Sequence, residues 1–94
     1  MQFALIAYDY HDALERRLQC REEHVARLHA LAASGNFLGG GALLNTEGKM
    51  IGSNVHIAFE SRAALDIWLQ SEPYLEQKVW EKVEVLEIKR LQIG

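Results

Sequence analysis

The sequence predicts a single α+β domain in which four strands and two main helices follow the order β-α-β-β-α-β. Three observations support this fold class. Apolar residues alternate along several short segments, they recur at helical spacing in the first third of the chain, and no linker, repeat or low-complexity tract divides the 94 residues. A chain of this length buries only about 60 to 65% of its unfolded surface, so it has room for one core.

Composition and charge limit the kinds of partner. The chain is 49% hydrophobic and 24% charged, which is typical of a globular protein, and its formal net charge of −3 gives no basic surface for nucleic acid. No stretch approaches the roughly 18 apolar residues of a membrane span, and the amino-terminal segment lacks the basic leader of a signal peptide. The single Cys20 allows no intramolecular disulfide, so we expect a cytoplasmic protein. Because no apolar stretch is long enough to span a membrane, we also expect no membrane partner.

The first half of the chain contains a strand, a long helix and a glycine-rich strand. Residues 2–9 are apolar on both faces, which predicts a central strand. Apolar residues then follow helical spacing over residues 12–34, and Gly35 is suited to end that helix. Residues 37–45 predict a short strand loosened by three glycines, and Gly48 favours a hairpin turn after it.

The second half begins with the clearest alternation in the sequence. Residues 51–60 alternate between an apolar face and a more polar face that carries Asn54 and His56, which predicts a half-buried strand. Ser61 can cap a second helix after this strand. Pro73 is favourable at the first position of one further short helical turn.

A last strand, residues 79–91, completes the fold. Its apolar residues change phase between Val85 and Leu86, which predicts either a β-bulge or a strand covered on both faces. The order of elements is that of a ferredoxin-like sandwich, an antiparallel sheet with both helices on one face. Because the opposite face mixes apolar and polar residues and has no helix to cover it, we expect a homodimer in which a second copy covers it.

The stretch RLQCREEHVARL, residues 17–28, places a cation among apolar residues on one helical face. With about 100° per residue, Arg21 lies about 20° from the centre of the stripe formed by the leucines and valine, and His24 lies at its border. We therefore expect Arg21 to be partly buried. It would either pair with a carboxylate at the sheet edge or face a cleft together with His24.

Over nearly its whole length the sequence resembles the YciI family, also described as YCII-related proteins. The resemblance rests on short motifs in several elements: an Arg-x-x-His pair, Arg21 and His24; Asp9 at the end of the first strand; a Gly-Ser pair, Gly52 and Ser53; and the segment Glu72, Pro73, Tyr74. It implies one YCII-related domain over residues 1–94, assembled as a dimeric α+β barrel. It also implies a pocket in which a histidine and a carboxylate form an acid/base pair, and one branch of the family acts as a dehydrochlorinase on chlorinated hydroxyquinols.

Two departures from the family pattern concern this pocket. Glu72 stands where the family usually has Asp before the proline, so a carboxylate is retained with a reach one methylene longer. The stretch Gly40, Gly41, Ala42 stands where the family commonly has Gly-Pro after the second strand.

The candidate catalytic residues are a histidine and two carboxylates. Histidine is the side chain best suited to acid/base chemistry near neutral pH, although a histidine at a helix border is more often a packed or surface residue. Either Glu72 or Asp9 would orient His24. Each carboxylate has a structural alternative, since Glu72 can cap the short helix after it and Asp9 can cap the long helix. The expected substrate-binding residues are Arg21, Ser53 and Tyr74.

Other reactive side chains give weaker signals. Cys20 lies off the helix face that carries His24 and has no base beside it, so covalent catalysis is not indicated. No pair of histidines has the spacing of a helical zinc motif, so we expect no metal. The glycines at 39–41 lack the Lys and Ser or Thr of a phosphate-binding loop, and we expect no cofactor.

Two functions from different classes are compatible with these residues. The first is a small cofactor-free enzyme that carries out proton transfer or elimination on a small organic substrate, with His24 as the acid or base. The second is a non-catalytic homodimer that binds a small ligand or a partner domain, in which the same side chains are structural pairs.

Overall fold

The computed structural model describes residues 1–91 and residue 93, and its elements follow the predicted order. In chain order they are β1 (Gln2–Asp9), α1 (Leu14–Ala33), β2 (Phe37–Leu44), β3 (Met50–Ala58), α2 (Arg62–Gln70), α3 (Pro73–Glu76) and β4 (Trp80–Ile88). The strands form one antiparallel sheet in the order β2-β3-β1-β4. The predicted α+β class, with an antiparallel sheet and the helices on one face, is confirmed.

Local sequence signals set the ends of these elements. Gly35 and Gly48 adopt φ angles of 79° and 80°, the left-handed region that glycine enters at little cost, so α1 ends and the β2–β3 turn closes where the sequence predicts. The Ser61 hydroxyl accepts the backbone N–H of Ala64 at 3.1 Å and caps α2. Pro73 occupies the start of α3, where its missing N–H would have no helical partner.

The core lies between the helices and the alternate residues of β1 and β3 that face them. Phe3 is paired with Ile57 and Leu5 with Val55 across these two central strands, and none of the four is more than 3% exposed. Burying a large apolar side chain contributes about 1.5 to 3 kcal/mol, so this pairing is a major part of the stability of the domain. Leu65 from α2 and Trp80 from β4 close the core from the helix side and the sheet edge.

The other face of the sheet is uncovered in the single chain, as predicted. On it Ala4 has His56 on one side and Leu86 on the other, and Leu86 is 55% exposed. Asn54 lies in the neighbouring row, and its Oδ1 is sealed from solvent with no hydrogen-bond partner among residues 1–91 and 93. This face therefore combines exposed apolar surface with an unsatisfied polar atom.

The change of phase in β4 arises because apolar residues occupy both faces of the strand, and not because of a bulge at that point. The register between β1 and β4 is regular through the middle of both strands and shifts only between Tyr8 and Asp9, near the start of β4. Val85 packs against the core, whereas Leu86 lies on the uncovered face. Of the two alternatives that the sequence left open, the bulge at Val85 and Leu86 is therefore excluded.

The buried face of α1 also differs from the predicted stripe. The buried residues of the helix are Arg17, His24 and Leu31, which recur every seven residues and so point in one direction. Arg21 is exposed, and Leu18 is 55% exposed. The prediction that Arg21 is partly buried is therefore wrong. The packed face of α1 is centred on two polar residues, Arg17 and His24, whose partners satisfy them, and the spacing of apolar residues does not reveal such positions.

Among the helices of the part of the chain that the structure describes, none is long and apolar enough to cross a membrane.

Candidate active site

The centre of the candidate site is a buried pair formed by His24 and Glu72. His24 Nδ1 lies 2.6 Å from Glu72 Oε1, although the two residues are 48 positions apart. α1 presents the histidine, and the turn between α2 and α3 presents the glutamate, whose side chain is 0% exposed. Because a carboxylate accepts hydrogen bonds, the proton of the neutral ring lies on Nδ1 and the lone pair lies on Nε2.

Glu72 is held by two further donors. The backbone N–H of Tyr74 donates to the same Oε1 at 3.1 Å, so the carboxylate caps α3 while it binds His24. Arg27 Nη1 lies 3.4 Å from Oε2, and Arg27 Nη2 donates to the Trp68 carbonyl at 2.8 Å and to Ser71 Oγ at 3.0 Å. The capping role and the orienting role, which the sequence presents as alternatives, are therefore performed by one carboxylate.

Aromatic rings fix the plane of the imidazole. The rings of His24 and Tyr74 are stacked with centroids 3.9 Å apart and planes inclined by 14°, and Trp80 contacts His24 edge-on at 5.8 Å. Tyr74 is 1% exposed, and this burial raises the pKa of its phenol, against the opposing effects of Arg17 and Arg21. The stack and the Glu72 hydrogen bond together leave His24 one orientation.

A second buried network surrounds Arg17. Its Nε and Nη2 donate to the two carboxylate oxygens of Asp9 at 2.7 and 2.9 Å, and Nη2 also donates to Ser53 Oγ at 2.9 Å. Trp80 Nε1 donates to the same hydroxyl at 3.2 Å. The Arg17 guanidinium lies 4.6 Å from the centroid of the Tyr74 ring, which joins this network to the His24 stack.

Asp9 therefore takes neither of its two predicted positions. It binds Arg17 rather than His24, and α1 begins after Ala13 without a side-chain cap. The sequence reasoning also missed Arg17 and Arg27. Their positions, seven residues before and three residues after His24 on α1, place both near its face of the helix, and that spacing is the signal that could have identified them.

A cavity of about 150 Å³ lies between α1 and the strands β2 and β3. It is lined by four of the predicted site residues, Arg21, His24, Ser53 and Tyr74, together with Arg17 and the glycine-rich part of β2. Two of these lining residues carry a polar atom without a hydrogen-bond partner among the described residues, His24 Nε2 and the Tyr74 hydroxyl, and neither atom is sealed from solvent. The structure thus brings His24, Glu72, Arg21, Ser53 and Tyr74 to one region.

The small residues of β2 create this space. Gly40 and Ala42 are paired with Val55 and Ser53, so they lie on the face of the sheet that α1 covers, where a larger side chain would occupy the cavity. Gly40 has φ 136°, and a Cβ atom there would collide with the backbone of Asn54 and Val55. Position 40 therefore requires glycine, because its φ angle and the neighbouring backbone leave no room for a Cβ atom.

Two further side chains near the site have distinct properties. Arg21 lines the cavity, is exposed, and makes no ion pair or hydrogen bond within the described residues. Cys20 packs against the core, and burial raises the pKa of its thiol, which lowers the fraction of reactive thiolate. Groups of three or more histidine, cysteine or acidic side chains arranged for a metal ion are absent from residues 1–91 and 93.

A comparison with solved structures places this geometry on a known fold. The 5-chloro-2-hydroxyhydroquinone dehydrochlorinase of Burkholderia phenoliruptrix, in complex with 2,5-dihydroxybenzoquinone, has a TM-score of 0.87 with 22% sequence identity, covering 95% of this chain and 94% of that chain. At this identity the likeness shows the fold alone.

Sequence comparisons identify the family. The chain is 33% identical over 97 residues to the protein YciI of Escherichia coli O6:H1, covering 97% of this chain and 99% of that protein. It is 34% identical over 97 residues to a protein of Haemophilus influenzae, with the same two coverages of 97% and 99%. The family model of the YCII-related domain matches residues 1–89. The chain therefore belongs to the family of YCII-related domain proteins, as its motifs predict.

Proposed function

We propose that this protein is a cofactor-free acid/base enzyme that carries out proton transfer or elimination on a small cyclic substrate. The observation that carries the proposal is the buried His24–Glu72 pair, in which Nδ1 and Oε1 are 2.6 Å apart. His24 lines the cavity, and its second ring nitrogen is available to exchange a proton with a bound substrate. A general base must reach the proton that it removes, and its geometry must be fixed beforehand. The Glu72 hydrogen bond and the Tyr74 stack supply that orientation.

The size of the cavity supports a substrate with a single ring. Its volume of about 150 Å³ equals that of an engineered protein cavity that binds benzene, on the order of 150 Å³. The dehydrochlorinase that shares this fold holds 2,5-dihydroxybenzoquinone, which is a compound of one ring. We therefore infer a monocyclic substrate bearing hydroxyl groups.

The roles of the site residues follow from their contacts. His24 acts as the acid or base, and Glu72 holds its tautomer. Arg21 and the hydroxyls of Ser53 and Tyr74 position the substrate, because all three side chains line the cavity. Asp9 acts one step further away by fixing the Arg17 guanidinium, which in turn contacts Ser53. Loss of HCl from a chlorinated hydroxyquinol removes one proton and one chloride with its bonding pair, so acid/base groups suffice and no oxidant is needed.

Chloride release from 5-chloro-2-hydroxyhydroquinone, the compound named for the dehydrochlorinase, tests this proposal. We expect release above the uncatalysed rate, reduced about 100- to 10,000-fold in His24→Asn, which is the usual contribution of one positioned acid/base group. His29→Asn is the matched control, because His29 is an exposed histidine of the same helix. Release at the uncatalysed rate in the wild type, or at an unchanged rate in His24→Asn, would contradict the proposal and favour the non-catalytic ligand-binding domain.

We also propose that the protein is a homodimer in which the uncovered sheet faces meet. This pairing would bury Leu86, which is 55% exposed. Sedimentation equilibrium should show a dimer that Leu86→Lys converts to monomer. Ile67→Lys, on the outer side of α2 and 68% exposed, should leave the dimer intact. A cytoplasmic location stays a prediction from the single Cys20.

A further inference from the structure

Ser53 has an unusual hydrogen-bond balance for a buried serine. Its Oγ accepts from Arg17 Nη2 at 2.9 Å and from Trp80 Nε1 at 3.2 Å. A guanidinium and an indole can only donate, so both bonds use lone pairs of the hydroxyl oxygen. A serine hydroxyl has two lone pairs and one proton, and therefore Ser53 has no accepting capacity left.

The hydroxyl proton of Ser53 is left without an acceptor. No bond donated by this hydroxyl occurs within the described residues, yet the side chain is 3% exposed and lines the cavity. Buried polar groups are almost always satisfied, so an acceptor in the cavity is the natural partner of this proton. The hydroxyl is also a poor nucleophile, because both lone pairs that could attack are engaged.

The surrounding charge strengthens this donor. Arg17 is cationic and binds the hydroxyl oxygen directly, and hydrogen bonds in such a chain polarise one another. Asp9 neutralises part of the Arg17 charge, but Arg21 lines the same cavity and has no carboxylate partner within the described residues. The Ser53 end of the cavity therefore favours an oxygen that carries negative charge.

We propose that Ser53 donates a hydrogen bond to an oxyanion or carbonyl oxygen of the ligand, and that the cavity thereby selects single-ring compounds in their phenolate, enolate or quinone form. This inference rests on the proposed function and adds a substrate class to it. Ser53 selects the ionised ring, whereas His24 exchanges a proton with it.

Binding of para-nitrophenol tests the inference directly, because its ionised form has a distinct visible absorption. We expect the bound probe to ionise at a lower pH than the free probe in the wild-type protein. In Ser53→Ala the affinity for the phenolate should fall about 10- to 100-fold, the effect of losing one hydrogen bond to a charged group. The affinity for nitrobenzene, which lacks the phenolate oxygen, should change much less.

Further variants separate a donor from a structural link. Ser53→Thr keeps the two lone pairs and the proton and should restore the preference for the phenolate. Ser61→Ala, which removes the α2 cap at a residue outside the cavity lining, should leave that preference unchanged. If Ser53→Ala is too unstable to study, the ionisation shift is measured in Arg21→Gln, where part of it should persist because Ser53 still donates; complete loss of the shift there would assign it to Arg21 and overturn the inference.

The outcomes also distinguish the two proposals. Equal binding of phenolate and phenol by the wild type, with chloride release that depends on His24, would overturn the inference and leave the proposed function standing. Preferential phenolate binding that depends on Ser53, without turnover, would support the Ser53 donor and count against the enzyme. Absence of binding of either probe would overturn the inference as well.

Discussion

Glu72 Oε1 lies within hydrogen-bond distance of both His24 Nδ1, at 2.6 Å, and the backbone N–H of Tyr74, at 3.1 Å. One oxygen atom therefore binds the histidine of α1 and the first turn of α3. A change at this atom affects the geometry of the site and the stability of the fold together.

Replacing the Glu72 carboxylate with an amide should change the tautomer of His24. In the wild type, long-range ¹⁵N NMR should find the neutral ring protonated at Nδ1, because Nδ1 donates to the carboxylate. Glu72→Gln can offer either its oxygen or its amine group, and so the preference for this tautomer should weaken. Glu76→Gln, an exposed position of α3, is the control. An Nε2–H tautomer in the wild type would contradict the assigned hydrogen bond.

The Arg17–Asp9 pair should be strongly coupled. Both side chains are nearly buried, at 3% and 4% exposure, so removal of either partner leaves the other charged and unpaired. Arg17→Met and Asp9→Asn should each lower the free energy of unfolding by about 3 to 5 kcal/mol, measured by urea denaturation. The double variant should lose less than the sum of the two. Additive losses would mean that the pair is not formed in solution.

Two neighbouring glycines should respond differently to a side chain. A Cβ at Gly40 would collide with the backbone of Asn54 and Val55, whereas a Cβ at Gly41 has no atom within 4 Å. We expect Gly40→Ala to destabilise the fold by about 1 to 3 kcal/mol, the usual cost of a residue held in a sparsely populated backbone conformation. Gly41→Ala should be neutral in the same thermal unfolding measurement. Equal effects would show that β2 relaxes around the new methyl group.

The buried phenol of Tyr74 should make stability fall at high pH. Burial raises the pKa of this group above its usual value of 10.0, so the unfolded chain loses the proton first and the folded state keeps it. The associated stability is fully present below the unfolded pKa and is lost as the pH rises through the folded pKa. Tyr74→Phe has no phenol to ionise, so its stability does not fall for this reason at high pH. The difference in unfolding free energy between the two proteins should therefore stay constant below the usual phenol pKa of 10.0 and decrease as the pH rises above it through the raised pKa, and a constant difference at all pH values would argue against a buried phenol.

The sequence was informative about the fold because the fold depends on local signals. The alternation in β3, the Ser61 cap and the glycine that ends α1 each act within a few residues, and all three are present in the structure. The motifs also named two carboxylates that could orient His24, and one of them, Glu72, lies beside it in the structure.

The buried face of α1 could not be predicted in this way. A search for apolar spacing centres the stripe near Arg21, yet Leu18 is 55% exposed and Arg17 is 3% exposed. Arg17 is buried because Asp9 and Ser53 satisfy its donors. Ser53 is 36 residues away in sequence, so nothing local to the helix reveals that partner.

The glycine-rich strand has a consequence for how new specificities could evolve in this scaffold. Gly40 is fixed by its main-chain geometry, but Ala42 lines the same cavity with an ordinary backbone and can change. A valine at Ala42 would narrow the chamber and a glycine would widen it, with the acid/base pair untouched. Divergence toward smaller or larger substrates could therefore begin at one residue of the sheet margin, well separated in sequence from the residues that move the proton.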